Sequence, residues 1–306
     1  MDKSDSVLHE YFRRTRLPLA WKPLDMSNTL RIKKGVDIRL AGEPSLHCDN
    51  SPHPKVVAIQ PTDFHGLTPK LVVKEGSSVQ VGDALFYDKT FTTVMFASPV
   101  SGTVKEIVRG AKRRILAVTV ESDGANTARD FGPWNGGDRE SLVAHLAAGG
   151  VFGAMRQRPF DVLANPADTP RAIYVSGFDS APLAVDTALA VDGKIEHLQR
   201  GIDALGQLAG SGGVHVGLRQ GDNTLASLQG CTLTSFDGPH PSGNVSVQIH
   251  HTAPINKGEV LWTIGLQDVI NLGSFLQTGR YSADRVVALG GSEMVNPRHV
   301  RTIAGS

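Results

Sequence analysis

The chain has 306 residues, 40% of them apolar and 20% charged, a composition that suits two or three packed domains and excludes a disordered chain. Lys plus Arg number 31 against 30 Asp plus Glu, a balance that argues against a dedicated nucleic-acid binder. No stretch approaches the roughly 18 consecutive apolar residues that span a bilayer, so membrane association is expected through partner proteins only.

Residues 1–28 fit poorly with the rest of the chain and are expected to form a disordered N-terminal extension. They contain no apolar signal-peptide core. Tyr11, Phe12, Arg13, Arg14, Arg16 and Leu17 make a basic, partly apolar run. That run suits a docking or lipid-surface helix, or else an extension upstream of a start at Met26.

From 29 to 124 the pattern is short strands and tight turns, a small all-β domain. Val36, Ile38 and Leu40 alternate with Asp37 and Arg39, which predicts a strand. Further strands are predicted at 56–59, 70–73, 84–87 and 116–120. Gly76, Gly82, Gly102 and Gly110 punctuate the series as expected positive-φ turn positions. Cys48 and Cys231 are far apart and make neither a disulfide framework nor a zinc ribbon; they read as reduced thiols.

The period changes after a small-residue linker at 125–137. Asp138 is a candidate helix cap, with Gly149 and Gly150 as the stop. A strand is expected at 172–176. Ile195, Leu198, Ile202 and Leu205 then recur at helical spacing. A short strand follows at 214–216. This alternation predicts an α/β layer with a largely parallel sheet over 125–257. His250 and His251 are placed on a strand, where they would point to opposite faces and could not chelate one metal together. Beyond 258, a helix is expected at 269–276 with Gly279 as its stop, then a strand at 285–289.

Several local motifs carry chemistry or fail to. Gly150-Val151-Phe152-Gly153-Ala154-Met155-Arg156-Gln157-Arg158-Pro159-Phe160 lies where a mononucleotide-binding turn would present bare N–H groups. Bulky side chains stand there instead of glycines. Arg156 and Arg158 could still hold an anion through their guanidinium groups, or be solvated charges on a surface turn. The glycine cluster at 209–217 precedes a strand and reads as an αβ loop rather than a dinucleotide site. No phosphate-binding GxxxxGK[ST] loop and no cluster-ligating cysteine set is present.

Val73-Lys74-Glu75-Gly76, Val81-Gly82-Asp83 and Ser98-Pro99-Val100-Ser101-Gly102 together resemble a biotinyl/lipoyl-type barrel-sandwich hybrid. A carrier of that type needs a lysine at the hairpin tip. Here the tip falls at Phe91-Thr92-Thr93, with Lys89 a few residues early, so a structural barrel is expected. Adding Ile32-Lys33-Lys34-Gly35-Val36-Asp37-Ile38, Arg156 to Phe160, Gly238-Pro239-His240-Pro241-Ser242-Gly243, Leu261-Trp262-Thr263-Ile264 and Arg285 to Ser292, the chain resembles the A-subunit family of bacterial Na+-translocating NADH:quinone oxidoreductases.

The resemblance implies a Rossmann-like α/β domain akin to the flavin-subunit domain of Rnf and complex I, followed at 258–306 by a β-grasp, soluble-ligand-binding domain. Family members continue past the equivalent of Ser306, so the β-grasp domain would be truncated. The resemblance further implies a peripheral subunit on the cytoplasmic face of the inner membrane, with subunits B to F as partners and ubiquinone or menaquinone as substrate. Flavins, iron–sulfur centres and NADH would belong to other subunits, and no cofactor is expected on this chain. The candidate quinone-contact residues are Phe152, Met155, Arg156, Arg158, Phe160, Phe178, Asp179 and His240, because aromatic and Met side chains suit a quinone ring and Arg or His can donate to its carbonyl oxygens. The alternative is an assembly subunit without a ligand site.

Overall fold

A computed structural model describes residues 29–306; the N-terminal extension lies outside the described residues. Strands β1 (Thr29–Arg31), β2 (Ser45–Asn50) and β3 (Val56–Ile59) are followed by β4 (Pro69–Leu71), β5 (Ser78–Val79), β6 (Ala84–Asp88), β7 (Met95–Ala97), β8 (Gly102–Arg109) and β9 (Ile115–Ser122). Of these, β3 to β9 form two facing sheets, ordered β3-β9-β8-β5 and β4-β6-β7. Val57, Phe86, Val94, Phe96, Val104, Val118 and Val120 are buried in the core together with Leu85, which is also fully buried beside an irregularity in the β6–β7 register. Gly76 and Gly82 adopt positive φ at the two turns of the barrel signature, as expected. Gly102 also does so, and a Cβ there would lie 1.9 Å from the Glu121 carbonyl oxygen, so only glycine lets β8 start beside β9. Gly110 departs from expectation, with an ordinary φ of −100°.

The second region adds α1 (Arg139–Ala148), β10 (Arg156–Arg158), β11 (Val162–Leu163), β12 (Ile173–Ser176), α2 (Thr187–Val191), α3 (Ile195–Leu208), β13 (Val214–Arg219), β14 (Thr232–Asp237), α4 (Val245–Thr252), β15 (Leu261–Gly265) and α5 (Leu266–Thr278). Its sheet has the order β1-β14-β13-β12-β15-β10-β11. The five strands from β1 to β15 in that order run parallel, and β10 and β11 add an antiparallel edge. Both faces are covered. Ile173 and Val175 point to one side and join Leu198, Ile202 and Leu205 of α3 and Val269 and Leu272 of α5 in the main core. Ala172 and Tyr174 point to the other side, where Ile249 of α4 packs. Helix α3 crosses α5 closely: a Cβ on Gly273 would lie 1.8 Å from the His197 carbonyl oxygen. Asp138 caps α1 by accepting from the Ser141 amide at 2.8 Å, and Gly279 ends α5 at a φ of 68°.

Finally β16 (Asp284–Leu289) and β17 (Arg298–Ile303) form a three-stranded sheet with β2. Gln267 fastens this sheet to α5 by bonding both the N–H and the C=O of Val286, at 2.7 and 2.9 Å.

Four expectations are corrected. Residues 29–31 belong to the α/β sheet rather than the barrel, and 45–50 pair with β17, because parallel pairing with distant edges satisfies their backbone groups. Residues 36–40 form no strand; Val36, Ile38 and Leu40 are all exposed, and the Val36 amide bonds the His240 carbonyl. The boundary at 257/258 falls inside the α/β region, since β15 lies between β12 and β10 and α5 packs on α3. His250 and His251 sit on α4, not on a strand.

Candidate functional site

In the α/β sheet the chain passes from β12 to β13 and β14 on one side, then returns to place β15 on the other side of β12. The crevice beyond the carboxyl ends of β12 and β15 is therefore a topological switch point, where connecting loops diverge and leave room for a ligand. A cleft of about 770 Å³ opens there. Its α/β wall comes from Ser176 to Asp179 after β12, Gly243 to Val245 before α4, and Ile264 to Asp268 at the start of α5. The barrel contributes Ile59, Phe64 and Phe96, and the C-terminal sheet region contributes Tyr281, Ala283 and Arg285. All three regions meet at this cleft.

Five of the eight predicted residues line it: Arg156, Arg158, Phe178, Asp179 and His240. Strand periodicity sets the first two on one face of β10, while Gln157 between them turns away to accept from the Asn165 amide. Arg158 donates to Thr263 Oγ1 at 3.3 Å and Ser246 Oγ at 3.0 Å, and pairs with Asp161 at 3.3 Å. The Arg156 guanidinium stands 5.2 Å from the Phe64 ring centroid, and its Nη2 donates to the Asp63 carbonyl at 3.2 Å. Its Nη1 is buried without any partner. Desolvation lowers the Arg156 pKa, opposed by Asp161 and Asp268.

His240 is held from three sides. Its Nδ1 lies 3.1 Å from Ser180 Oγ, its amide donates to Asp37 Oδ1 at 2.9 Å, and its carbonyl accepts from Val36. Ser176 Oγ is 2.7 Å from the carbonyl oxygens of both Phe178 and Gly243, and Gln248 Nε2 donates to it at 3.0 Å. This partly buried polar knot joins the β12 loop to the start of α4 at the rim of the cleft.

The other three predicted residues are elsewhere. Phe152 and Met155 are fully buried, Phe152 meeting Trp262 edge-on at 5.7 Å. A short 3-10 turn over Phe152–Ala154 points these apolar side chains into the core before β10 begins. Phe160 is 74% exposed in the β10–β11 turn and does not reach the cleft.

Sequence reasoning missed Phe64, Gln267, Asp268, Tyr281 and Arg285. Asp268 and Arg285 form an ion pair across the cleft floor. Desolvation pushes the Tyr281 hydroxyl up to about 12, so it stays protonated. The Gln267-Asp268 pair preceding an apolar helix was the one available signal. Outside the cleft, burial pushes the Cys231 thiol up to about 11, which leaves it inert. Among the described residues no three His, Cys, Asp or Glu side chains are grouped to hold a metal ion.

Residues 30–123 match the family model of the NqrA N-terminal barrel-sandwich hybrid domain, and residues 137–281 that of the NqrA second alpha/beta domain. The chain belongs to the NqrA family. The Na(+)-translocating NADH-quinone reductase A-subunit of Rhodopirellula baltica is 36% identical over 285 residues, covering 90% of this chain and 62% of that protein. The corresponding subunits of Teredinibacter turnerae and Cellvibrio japonicus are each 34% identical, over 282 and 284 residues, covering 90% of this chain and 63% of each relative. This NqrA homologue thus spans a little under two thirds of the length of the curated relatives it matches. A chain of an NAD+-reducing [NiFe]-hydrogenase overlaps 54% of this chain and 36% of its own length at a TM-score of 0.36 and 13% identity, too loose a likeness to carry an assignment.

Proposed function

We propose that this NqrA homologue acts as the A-type subunit of a Na+-translocating NADH:quinone oxidoreductase and that its switch-point cleft contacts quinone. The observation that carries the proposal is the convergence of both family domains on one cleft lined by Arg158, His240 and Phe178. Arg158 and His240 offer N–H groups to quinone carbonyl oxygens, and Phe178 and Phe64 offer apolar walls to the ring. Phe152 and Met155 act by packing behind these groups rather than by touching the ligand.

In this proposal the complex passes electrons from NADH to ubiquinone or menaquinone and exports Na+, with NADH, flavins and iron–sulfur centres held by subunits B to F. The chain sits peripherally on the cytoplasmic face of the inner membrane. Among the described residues no helix is long and apolar enough to cross a membrane, so attachment would run through partners. The α/β domain is taken as Rossmann-like, and the sheet of β16, β17 and β2 as the opening part of a β-grasp domain.

The test is a titration of the purified chain with a soluble ubiquinone analogue, followed by tryptophan fluorescence. Saturable quenching that Arg158→Ala and His240→Ala each weaken supports the cleft as a quinone-contact site. No saturation removes quinone contact and leaves the assembly role. That role is tested by whether membranes lacking their native NqrA regain the assembled complex when this chain is supplied.

A further inference from the structure

The segment from Ile32 to Pro44 bridges β1 of the α/β sheet and β2 of the C-terminal sheet, and both of its ends are tied down. Ile32 is buried with Phe178 and Phe236. A Cβ on Gly35 would lie 2.1 Å from the His240 carbonyl oxygen, and one on Gly42 would lie 2.1 Å from that of Gly291. Pro44 is buried as well. Between these anchors the Val36 amide donates to the His240 carbonyl, and Asp37 Oδ1 accepts from the His240 amide at 2.9 Å. The bridge is therefore held at several fixed points rather than hanging as a free loop.

Its outer side is apolar and basic. Val36, Ile38 and Leu40 are 68%, 61% and 54% exposed, and Leu46 just beyond is 72% exposed. Four of the nine large apolar side chains left exposed among the described residues thus fall within 36–46, a cluster rather than the usual scatter. The backbone N–H and C=O groups of 37–41 make no hydrogen bond among the described residues. Lys33, Lys34 and Arg39 are exposed with no carboxylate in ion-pair distance among the described residues. Asp37, the one acid between Arg31 and Leu40, already accepts from the His240 amide.

We propose that this bridge is a docking strand for a partner protein, and that it takes an extended segment whose apolar side chains alternate with Asp or Glu. Strand addition would pair the free N–H and C=O groups and cover Val36, Ile38 and Leu40. The partner's carboxylates would meet Lys33, Lys34 and Arg39. An anionic lipid surface matches the charge and the apolar side chains but leaves the backbone groups without partners. A second copy of the chain brings the same excess of positive charge. Because Val36 and Asp37 hold His240, the docked strand would lie beside the rim of the cleft, but the inference does not rest on quinone binding there.

The test is fluorescence anisotropy of short labelled peptides titrated with the full chain. The probe alternates valine with glutamate. One control alternates valine with lysine, and the other is the probe with its amides N-methylated. The probe should bind saturably and both controls at least about tenfold more weakly. Ile38→Asp should weaken probe binding about tenfold or more, and so should Lys33→Glu combined with Lys34→Glu. These side chains are exposed, so circular dichroism should be unchanged. No saturable probe binding up to about 1 mM overturns the proposal. So does probe binding that Ile38→Asp leaves unchanged, or an N-methylated control that binds as tightly as the probe. Saturable binding to phosphatidylglycerol–phosphatidylcholine vesicles that Ile38→Asp abolishes would assign the face to lipid. Self-association that Ile38→Asp abolishes would assign it to a second copy, and either result overturns the proposal.

Discussion

The barrel and the α/β region reach their structures over different spans of chain. In the barrel every strand pairing falls within residues 56–122: β6–β7 and the eight-residue strands β8–β9 are sequence neighbours, while β3 closes on β9, β5 on β8 and β4 on β6. In the α/β region the edge strand β1 is borrowed from more than two hundred positions upstream of β14, and the central strand β15 closes on β12 across an intervening βαβ series. The cleft exists only once distant segments have been brought together, with the barrel supplying Ile59, Phe64 and Phe96 to one wall.

Substitutions at the centre of each region separate these two kinds of stability. Trp262 is fully buried between β12 and β10, and Trp262→Ala should cost about 3–5 kcal/mol in denaturant unfolding. Its indole N–H has no partner, so Trp262→Phe should cost far less, which distinguishes loss of volume from loss of a hydrogen bond. Gly273→Ala should cost about 1–3 kcal/mol by driving α5 off α3, since the new methyl meets backbone rather than a movable side chain. In the barrel, Asp88 is buried in the tip between β6 and β7 and accepts from the Thr68 and Phe91 amides at 3.0 and 3.2 Å. Asp88→Ala should cost about 1–3 kcal/mol by leaving those donors unpaired, and it should leave quinone-analogue quenching intact. If Asp88→Ala abolishes quenching, the barrel is not merely a scaffold.

A smaller effect is expected with pH. The Asn256 amide and Arg171 hold the Glu259 carboxyl below its usual range, with Arg171 Nη1 2.6 Å away. A carboxylate with a depressed folded pKa contributes stability above its unfolded pKa and loses it as pH falls through the folded value. Stability should therefore decline as pH drops below the ordinary Glu range, and Glu259→Gln should make that decline shallower in acid titrations followed by circular dichroism. The smallest effect is expected from Phe160→Ser. That side chain is exposed and outside the cleft, so stability should move by no more than about 0.5 kcal/mol and quinone-analogue binding should be unchanged.

Legibility in the sequence followed the same division. The barrel could be read from Glu75-Gly76, Gly82-Asp83 and Gly102, because the turn conformations they require are set by the residues themselves. Helices α1, α3 and α5 were readable from their caps and spacing. The edge between the α/β and C-terminal regions was not, since nothing near Trp262 reports that its partner strand is Ile173 to Ser176. Val245, Val247 and Ile249 alternate like a strand, but Asn244 accepts from the Ser246 amide and starts a helix on which Val245 and Ile249 share a face. At the cleft, residue type pointed to Arg156, Arg158 and His240, which the fold brings to its lining. Phe152 and Met155 lie in the core and Phe160 in a surface turn, since aromatic or thioether character suits a core or a surface turn as well as a cleft wall.

The most direct test of the cleft is amide hydrogen exchange of the full chain with and without a soluble ubiquinone analogue. Slower exchange at 176–179, 240–245 and 264–268, with the barrel tip at 89–94 unchanged, is the predicted result. No change in those three segments, or protection confined to the barrel tip, would contradict the placement of the ligand site at the switch point.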